Sequence, residues 1–591
     1  MSNIRENLVD VALGQTAPDI LIRGGSLVNV ITREVYQADI SITGDRIAVV
    51  GDAQLKLDKN CRTINTDGKF LVPGFIDPHV HIESSAVTVT EYAKAVLSKG
   101  VTTVAEDPHE IANVLGLDGL KLMFDEAKTL PFNLLLRVPG RIPALSSSKE
   151  TSGAAFSMED TKVLLKWEEA VCLAGDINPG LILAKDSAQF EKIDYAIDLR
   201  KTVSGQSPGL SGGALNAFIA AGMEDSHVSE NVAEIIDIVR HGMRALITHR
   251  PDLFGVDDYK ELVKAIHELK LDTRYLLFCT DDIQPHILME NGHLDERLRL
   301  AIQNGLDPLT AIQMATINVA DFLHIDRDYG SITPGKFADI VVMNDLETLS
   351  VDTVIVHGKL AIDNGTFVEN GKRFKYPQWA LETLHVPRKV TPQDFQIKSN
   401  SQTTEVKVRV IQPAFPKKQF VKTMPVINGV VCPDTGMDVL SIGVLERHKG
   451  TGSIGNGFLF GTGIEMGAIA STVSHDAHNI FVIGTNYADM ATAANELLNI
   501  NGGHAAVIDG QVIARVELPI AGLMSEEPIE DVARKFKAFE LVCVEKMGCK
   551  IPRLLYMLNF ICLPNIPHVG ITDKGIINSD TMEIEDVIVS D

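Results

Sequence analysis

Pro73-Gly-Phe-Ile-Asp-Pro-His79-Val-His81-Ile-Glu83 is the stretch that decides how this chain is read. Its apolar lead, residues 71–76, predicts a buried strand. An extended backbone sends alternate side chains to opposite faces, so His79 and His81 share one face. Two imidazoles side by side at a strand's carboxyl end are half of a first-row divalent-metal site. Taken alone, such a pair is more often two histidines bonded to nearby carbonyls. A second apolar run, 101–105, leads straight into Glu106-Asp107-Pro-His109-Glu110. Two successive strands ending in His and Asp bring ligand-type side chains to one mouth.

Outward from this stretch, strand and helix patterns alternate. Strand candidates fall at 71–77, 101–107, 132–138, 170–176, 201–206, 221–227, 244–250 and 275–281. Helical periodicity separates most of them, as at 90–97, 119–128, 232–240 and 257–270. Eight such units fit an α/β fold of (β/α)8-barrel type, in which chemistry sits at the carboxyl ends of the strands. His79 and His81, Asp107 and His109, Asp176, Gln206, His227, His249 and Asp281 end these strands. An open doubly wound sheet would gather its ligands at one switch point, so the barrel is the better reading.

Short alternating strands dominate residues 18–70 and return at 338–343 and 351–362, within flanking segments 1–70 and 331–385. These flanks predict two parts of one β-sandwich domain around a barrel of residues 71–330. A Pro- and charge-rich junction, 372–416, precedes a third unit at 400–591, an α/β or α+β domain. The chain has 591 residues, 45% hydrophobic and 22% charged, which are globular values. A net charge of −24 argues against nucleic-acid and anionic-membrane partners. There is no leader pattern and no run of 18 apolar residues. Seven scattered cysteines without a CxxC read as reduced, so a cytoplasmic location is expected. The sequence leaves homo-oligomerisation open.

Several familiar signals fail on their own chemistry. His109-Glu110 lacks the second histidine of the zincin motif. No P-C-x-x-C accompanies the His-x-His, which excludes a cysteine-ligated deaminase. Gly205-Gln-Ser-Pro-Gly209 resembles a nucleophile elbow, but that elbow needs the backbone N–H that Pro208 lacks. Gly450-Thr-Gly-Ser-Ile-Gly455 matches a dinucleotide fingerprint without its βαβ setting. Asp281, with Asp282 beside it, is a candidate ligand or proton acceptor, or else part of a turn. Ser474-His-Asp-Ala-His-Asn479 is either a cap over the barrel mouth or a self-stabilising loop.

The chain resembles the adenine deaminase family of the amidohydrolase superfamily. The resemblance runs through Pro73-Gly-Phe-Ile-Asp-Pro-His-Val-His-Ile-Glu-Ser-Ser85, Asp107-Pro-His-Glu-Ile-Ala-Asn113 and Glu150-Thr-Ser-Gly-Ala154. It continues through Pro208-Gly-Leu-Ser-Gly212, Asp307-Pro-Leu-Thr-Ala-Ile-Gln-Met-Ala-Thr316, Ser474-His-Asp-Ala-His-Asn479 and Leu518-Pro-Ile-Ala-Gly-Leu-Met524. It implies hydrolysis of a purine base, adenine, to hypoxanthine and ammonia. It also implies a divalent metal, manganese first, with iron and zinc as alternatives, at one or two ions per chain. By motif, His79, His81, His227 and Asp281 are the implied ligands, with Asp281 also moving a proton. Asp107 and His109 are implied active-site residues. Three positions depart from the family pattern. Gly175 stands where a bridging glutamate is usual, leaving Asp176 as its nearest substitute. Gln206 replaces a ligand histidine, and Thr248-His249-Arg250-Pro251 replaces an Arg-Glu-Gly-Ser-like segment. An amide is a poor ligand for a borderline metal, so one ion is expected to be tight and a second weak.

Overall fold

The computed structural model describes residues 4–51, 53–174, 177, 179–229, 231–248, 259–368, 373–399 and 403–589. Nine strand segments make one parallel sheet. They are β1 (Phe75–His81), β2 (Val101–Glu106), β3 (Asn133–Val138), β4 (Ala170–Leu173), β5 (Thr202–Gly205), β6 (Asp225–Ser226), β7 (Arg244–Ile247), β8 (Leu276–Phe278) and β9 (Asp281–Asp282). β8 pairs with β7, whereas β9 pairs with β1. Only Cys279 and Thr280 separate β8 from β9. Both edges of the sheet therefore belong to one run of chain, and the sheet curls into a barrel.

The amino-terminal end of this barrel is filled. Ile76, Leu135, Val171, Leu246 and Leu277 pack against Val319, Phe322 and Leu323. Thr202, which opens β5, donates to the Phe322 carbonyl at 2.9 Å, and Arg244, which opens β7, reaches Asp321 at 3.2 Å. The opposite end, where the strands finish, is left for polar side chains.

The strand expected at 71–77 is two strands. Phe70–Pro73 belongs to a seven-stranded sheet, and the barrel begins at Phe75. Gly74 is the joint: a Cβ there would lie 2.1 Å from Thr102 Oγ1, so only glycine lets the chain pass from one sheet to the other. That seven-stranded sheet combines Ser26–Asn29, Glu34–Gln37 and Phe70–Pro73 with Ile340–Asp345, Ser350–Val356, Lys359–Asp363 and Thr366–Phe367. A four-stranded sheet formed by Ile20–Arg23, Ile40–Thr43, Arg46–Val50 and Arg62–Asn65 faces it. Ile22, Leu27, Ile42, Leu71, Ile340, Val342 and Ile355 fill the space between. Each such aliphatic side chain, fully buried, contributes roughly 1.5–3 kcal/mol. The segment read as 275–281 is likewise interrupted, and the reading of 170–176 is a strand only over Ala170–Leu173.

Beyond the barrel a ten-stranded sheet forms the C-terminal body. Helix α2 (Tyr487–Asn499) covers one face, packing Met490, Ala494 and Leu497 on Ala505 and Val507. On the other face Leu440, Ile442, Phe481 and Ile483 join α3 (Ile529–Met547), through Phe536, to the apolar core of the barrel. Backbone bonds also tie the two bodies, Ser525 N–H to Ala86 O at 2.9 Å and Thr88 N–H to Ser525 O at 3.2 Å. The hairpin from β10 (Ala468–Ser471) to β11 (Ile480–Gly484) carries residues 472–479.

The glycine-rich 450–455 stretch connects two antiparallel strands, Val439–Leu445 and Ile454–Phe460. Two of its amides are already engaged: Thr451 N–H donates to the Glu446 carboxylate at 2.7 Å and Ser453 N–H to Thr451 Oγ1 at 3.2 Å. The stretch is a hairpin turn, without the βαβ setting of a dinucleotide site. All seven cysteines are free. Among the described residues no helix is long and apolar enough to cross a membrane.

Candidate active site

β1 ends with both of its histidines inward. Arg137, on β3 and fully buried, donates to the Pro78 carbonyl at 2.7 Å and lies 3.6 Å from Asp225 on β6. It fixes the backbone just before His79. Asp77 accepts from His79 N–H at 3.1 Å and from Thr280 N–H at 3.1 Å, joining β1 to the break between β8 and β9. Asp281, directly after that break, has φ of 57°, in the left-handed region that Asp tolerates better than most residues.

The result is a compact donor group. Asp281 Oδ1 is 3.3 Å from His79 Nε2 and 3.2 Å from His81 Nε2. Asp281 Oδ2 is 3.9 Å from His227 Nε2. His227, just past β6, stacks on His79 with ring centroids 4.1 Å apart. All four side chains are buried. His81 Nδ1 donates to the Asp107 carbonyl at 2.9 Å, which turns its Nε2 toward Asp281. Ligand atoms about 2.1 Å from one ion lie about 3.0–3.4 Å apart in octahedral or tetrahedral geometry. The 3.2 and 3.3 Å separations match and the 3.9 Å contact of His227 is longer; three imidazoles with one carboxylate suit a first-row divalent ion.

A second cluster adjoins the first. Helix α1 (His109–Ala127) begins right after Asp107 and Pro108, where the sequence suggested a strand end. His109 Nδ1 is 3.2 Å from Asp107 Oδ1, and its Nε2 is 3.0 Å from Glu110 Oε1. The C-terminal hairpin descends onto these residues. His475 Nδ1 lies 2.6 Å from Glu110 Oε1, Asp476 Oδ1 lies 3.7 Å from His109 Nε2, and His478 Nε2 bonds Glu110 Oε2.

Charge is balanced locally. Burial raises the Asp107 carboxyl, but His109, His81 and Arg137 outweigh it and hold it below its ordinary value. Burial also opposes ionisation of Glu110, yet His475, His109 and His478 keep it well below the usual range. Burial followed by the Glu83 carboxyl pushes Glu106 well above that range. Glu106 nonetheless accepts from Ile82 N–H at 2.9 Å. Glu83 accepts from Ile111 N–H at 3.0 Å, so this carboxyl pair links the β1 and β2 loops.

The structure thus gathers His79, His227 and Asp281 in one group, with His81 reaching Asp281 from a neighbouring group that it forms with Asp107 and His109. Asp176 and His249 lie outside the described residues. Gln206 is half-buried after β5. Sequence reasoning missed Glu110, Arg137 and the direct involvement of His475, Asp476 and His478. Only the richness of 474–479 in donors and acceptors hinted at the last three.

Residues 70–361 match the amidohydrolase family, and residues 415–583 match the adenine deaminase C-terminal domain. Adenine deaminase 3 of Rhizobium meliloti (strain 1021) is 40% identical to this chain, across 100% of it and 99% of that protein. The chain belongs to the adenine deaminase family. Other members are the adenine deaminases of Clostridium botulinum, 38% identical, and Moorella thermoacetica, 37% identical, each matched across 100% of this chain and 98% of the relative. A solved adenosine deaminase from Xanthomonas campestris with bound Zn is far more distant, at 16% identity and a TM-score of 0.43 over 60% of this chain and 95% of that one. Family membership makes the donor group at the barrel mouth the expected seat of a divalent metal.

Proposed function

We propose that the protein is a metal-dependent deaminase that converts adenine and water to hypoxanthine and ammonia. The observation that carries this reading is Asp281, whose two oxygens face three imidazole nitrogens at the barrel mouth of a member of this family. His79, His81, His227 and Asp281 would hold one ion, for which manganese is the first choice. When bound, such an ion lowers the pKa of water and polarises the carbon under attack.

The remaining steps belong to the chain. Asp281 takes a proton from the water that adds to C6 of the purine. As the C6–O bond forms, the N1–C6 double-bond pair moves onto N1. One water proton ends on N1, and the other passes through Asp281 to the exocyclic amine. The C6–N6 bond then breaks, ammonia leaves and the lactam of hypoxanthine remains. Asp107 orients His81 through its carbonyl and His109 through its carboxylate.

The division into a sandwich of 1–70 and 331–385, a barrel of 71–330 and a C-terminal unit of 400–591 is part of this reading. So is a cytoplasmic location, supported by seven free cysteines. The test is ammonia and hypoxanthine release from adenine by metal-loaded protein, screened beside other purines. Release from another purine alone would reassign the substrate.

A further inference from the structure

Among the described residues, the largest group of metal-ligand side chains is the cluster at the junction with the C-terminal hairpin. We propose that His109, Glu110, His475 and Asp476 bind a second divalent cation of the manganese, iron or zinc type. This site is separate from the His79, His81, His227 and Asp281 group. Two imidazole nitrogens and two carboxylate oxygens lie within 4.8 Å of one another. The 3.0 Å contact from His109 Nε2 to Glu110 fits the edge of a coordination shell with bonds of about 2.1 Å, and Asp476 Oδ1, at 3.7 Å, would draw in by a few tenths of an ångström. The His475–Glu110 contact of 2.6 Å is shorter than such an edge, and an ion seated there would part these two atoms by a few tenths of an ångström.

One feature separates this arrangement from an ordinary ion-pair cluster. Glu110 Oε1 is buried and makes no properly aligned hydrogen bond, although His475 Nδ1 and His109 Nε2 lie 2.6 and 3.0 Å away. Both histidines also contact this one oxygen rather than separate acceptors, so three donor atoms converge on a single point.

The supports behind the four donors are those of a metal centre. His109 offers its other nitrogen to the Asp107 carboxylate at 3.2 Å, the arrangement that fixes tautomer and ring orientation in ligand histidines. The second oxygen of Glu110 is held by His478 Nε2. His478 Nδ1 accepts from Ser474 N–H at 3.0 Å, which places the proton on Nε2 and makes it the donor. The buried Arg447 guanidinium grips the His478 carbonyl, and His448 Nε2 bonds Ala477 O at 2.6 Å. His475 stacks on Phe560 with centroids 4.5 Å apart. An ion there would also clamp the C-terminal hairpin to the barrel.

The experiment counts ions in the 591-residue chain, stripped and reloaded with Mn2+ alone, after gel filtration. The expected result is two Mn per wild-type chain. Asp476→Asn and His475→Gln should each retain one, His227→Ala should also retain one, and Asp476→Asn combined with His227→Ala should retain none. Circular dichroism establishes that each variant is folded. In the wild-type chain, reloading should slow hydrogen exchange across residues 474–479, a readout that needs no variant. One Mn per wild-type chain, unchanged exchange at 474–479, or two Mn in both Asp476→Asn and His475→Gln would each overturn the proposal. Because nothing here is read from turnover, failure of the deaminase reading leaves the ion count standing, and the reverse also holds.

Discussion

Asp281→Asn is the substitution that separates the proposed mechanism from a purely structural account of the barrel mouth. The change preserves size and planarity and removes the negative charge. In the protein the Asp281 oxygens sit 3.2, 3.3 and 3.9 Å from three imidazole nitrogens. The carboxylate is therefore both a donor to the ion and the group placed to move the proton. Loss of a general acid–base group lowers turnover by about 10²–10⁴-fold. That range corresponds to about 3–5 kcal/mol of transition-state stabilisation. Asp282 supplies the control. Its carboxylate accepts from Ser84 Oγ at 2.5 Å, so Asp282→Asn should cost less than about tenfold. The assay is steady-state adenine deamination with the metal content of each variant measured in parallel. Asp281→Asn within a few-fold of wild type at equal metal content would refute Asp281 as the proton carrier.

Other expectations follow from single contacts. His227→Ala removes the imidazole that stacks on His79, and Mn2+ affinity at that group should fall by at least about 10-fold, measured by equilibrium dialysis. Gly74→Ala drives a Cβ to 2.1 Å from the buried Thr102 Oγ1 and should cost about 1–3 kcal/mol in denaturant unfolding. Burial, opposed by Arg553, pushes the Glu540 carboxyl from its ordinary 4.5 up to about 7 at the contact between α3 and the barrel. A raised folded-state pKa makes wild-type stability fall as pH rises from about 4.5 to about 7. Glu540→Gln should match wild type at pH 4 and gain on it by about 3 kcal/mol by pH 7.5. Parallel stability curves across that window would show that Glu540 ionises normally.

Much of the barrel was legible because its signal is local. Each apolar run ends in a residue of ligand or acid–base type, as at His79, Asp107, His227 and Asp281, and the spacing leaves room for crossover helices. The split of 71–77 was not legible. Leu71 and Val72 continue the apolar texture of Phe75 and Ile76, and only the crowding of Gly74 by Thr102 divides them between two sheets. Helix α1 was read as starting late because His109 and Glu110 carry no apolar periodicity; they face the site, while Ile111 and Leu120 further along enter the core. The second cluster was illegible for a different reason. His475 and Glu110 are 365 positions apart, and no pattern within either segment encodes their meeting. It follows from how the ten-stranded sheet docks its hairpin on the barrel.

The central claim is metal-dependent deamination of adenine, and one measurement addresses it most directly. The protein is stripped with chelator, reloaded with Mn2+ and given adenine, with hypoxanthine and ammonia quantified together. The account predicts no turnover without metal and restored, equimolar formation of both products on reloading. Adenine left intact by protein with a verified metal content would contradict it.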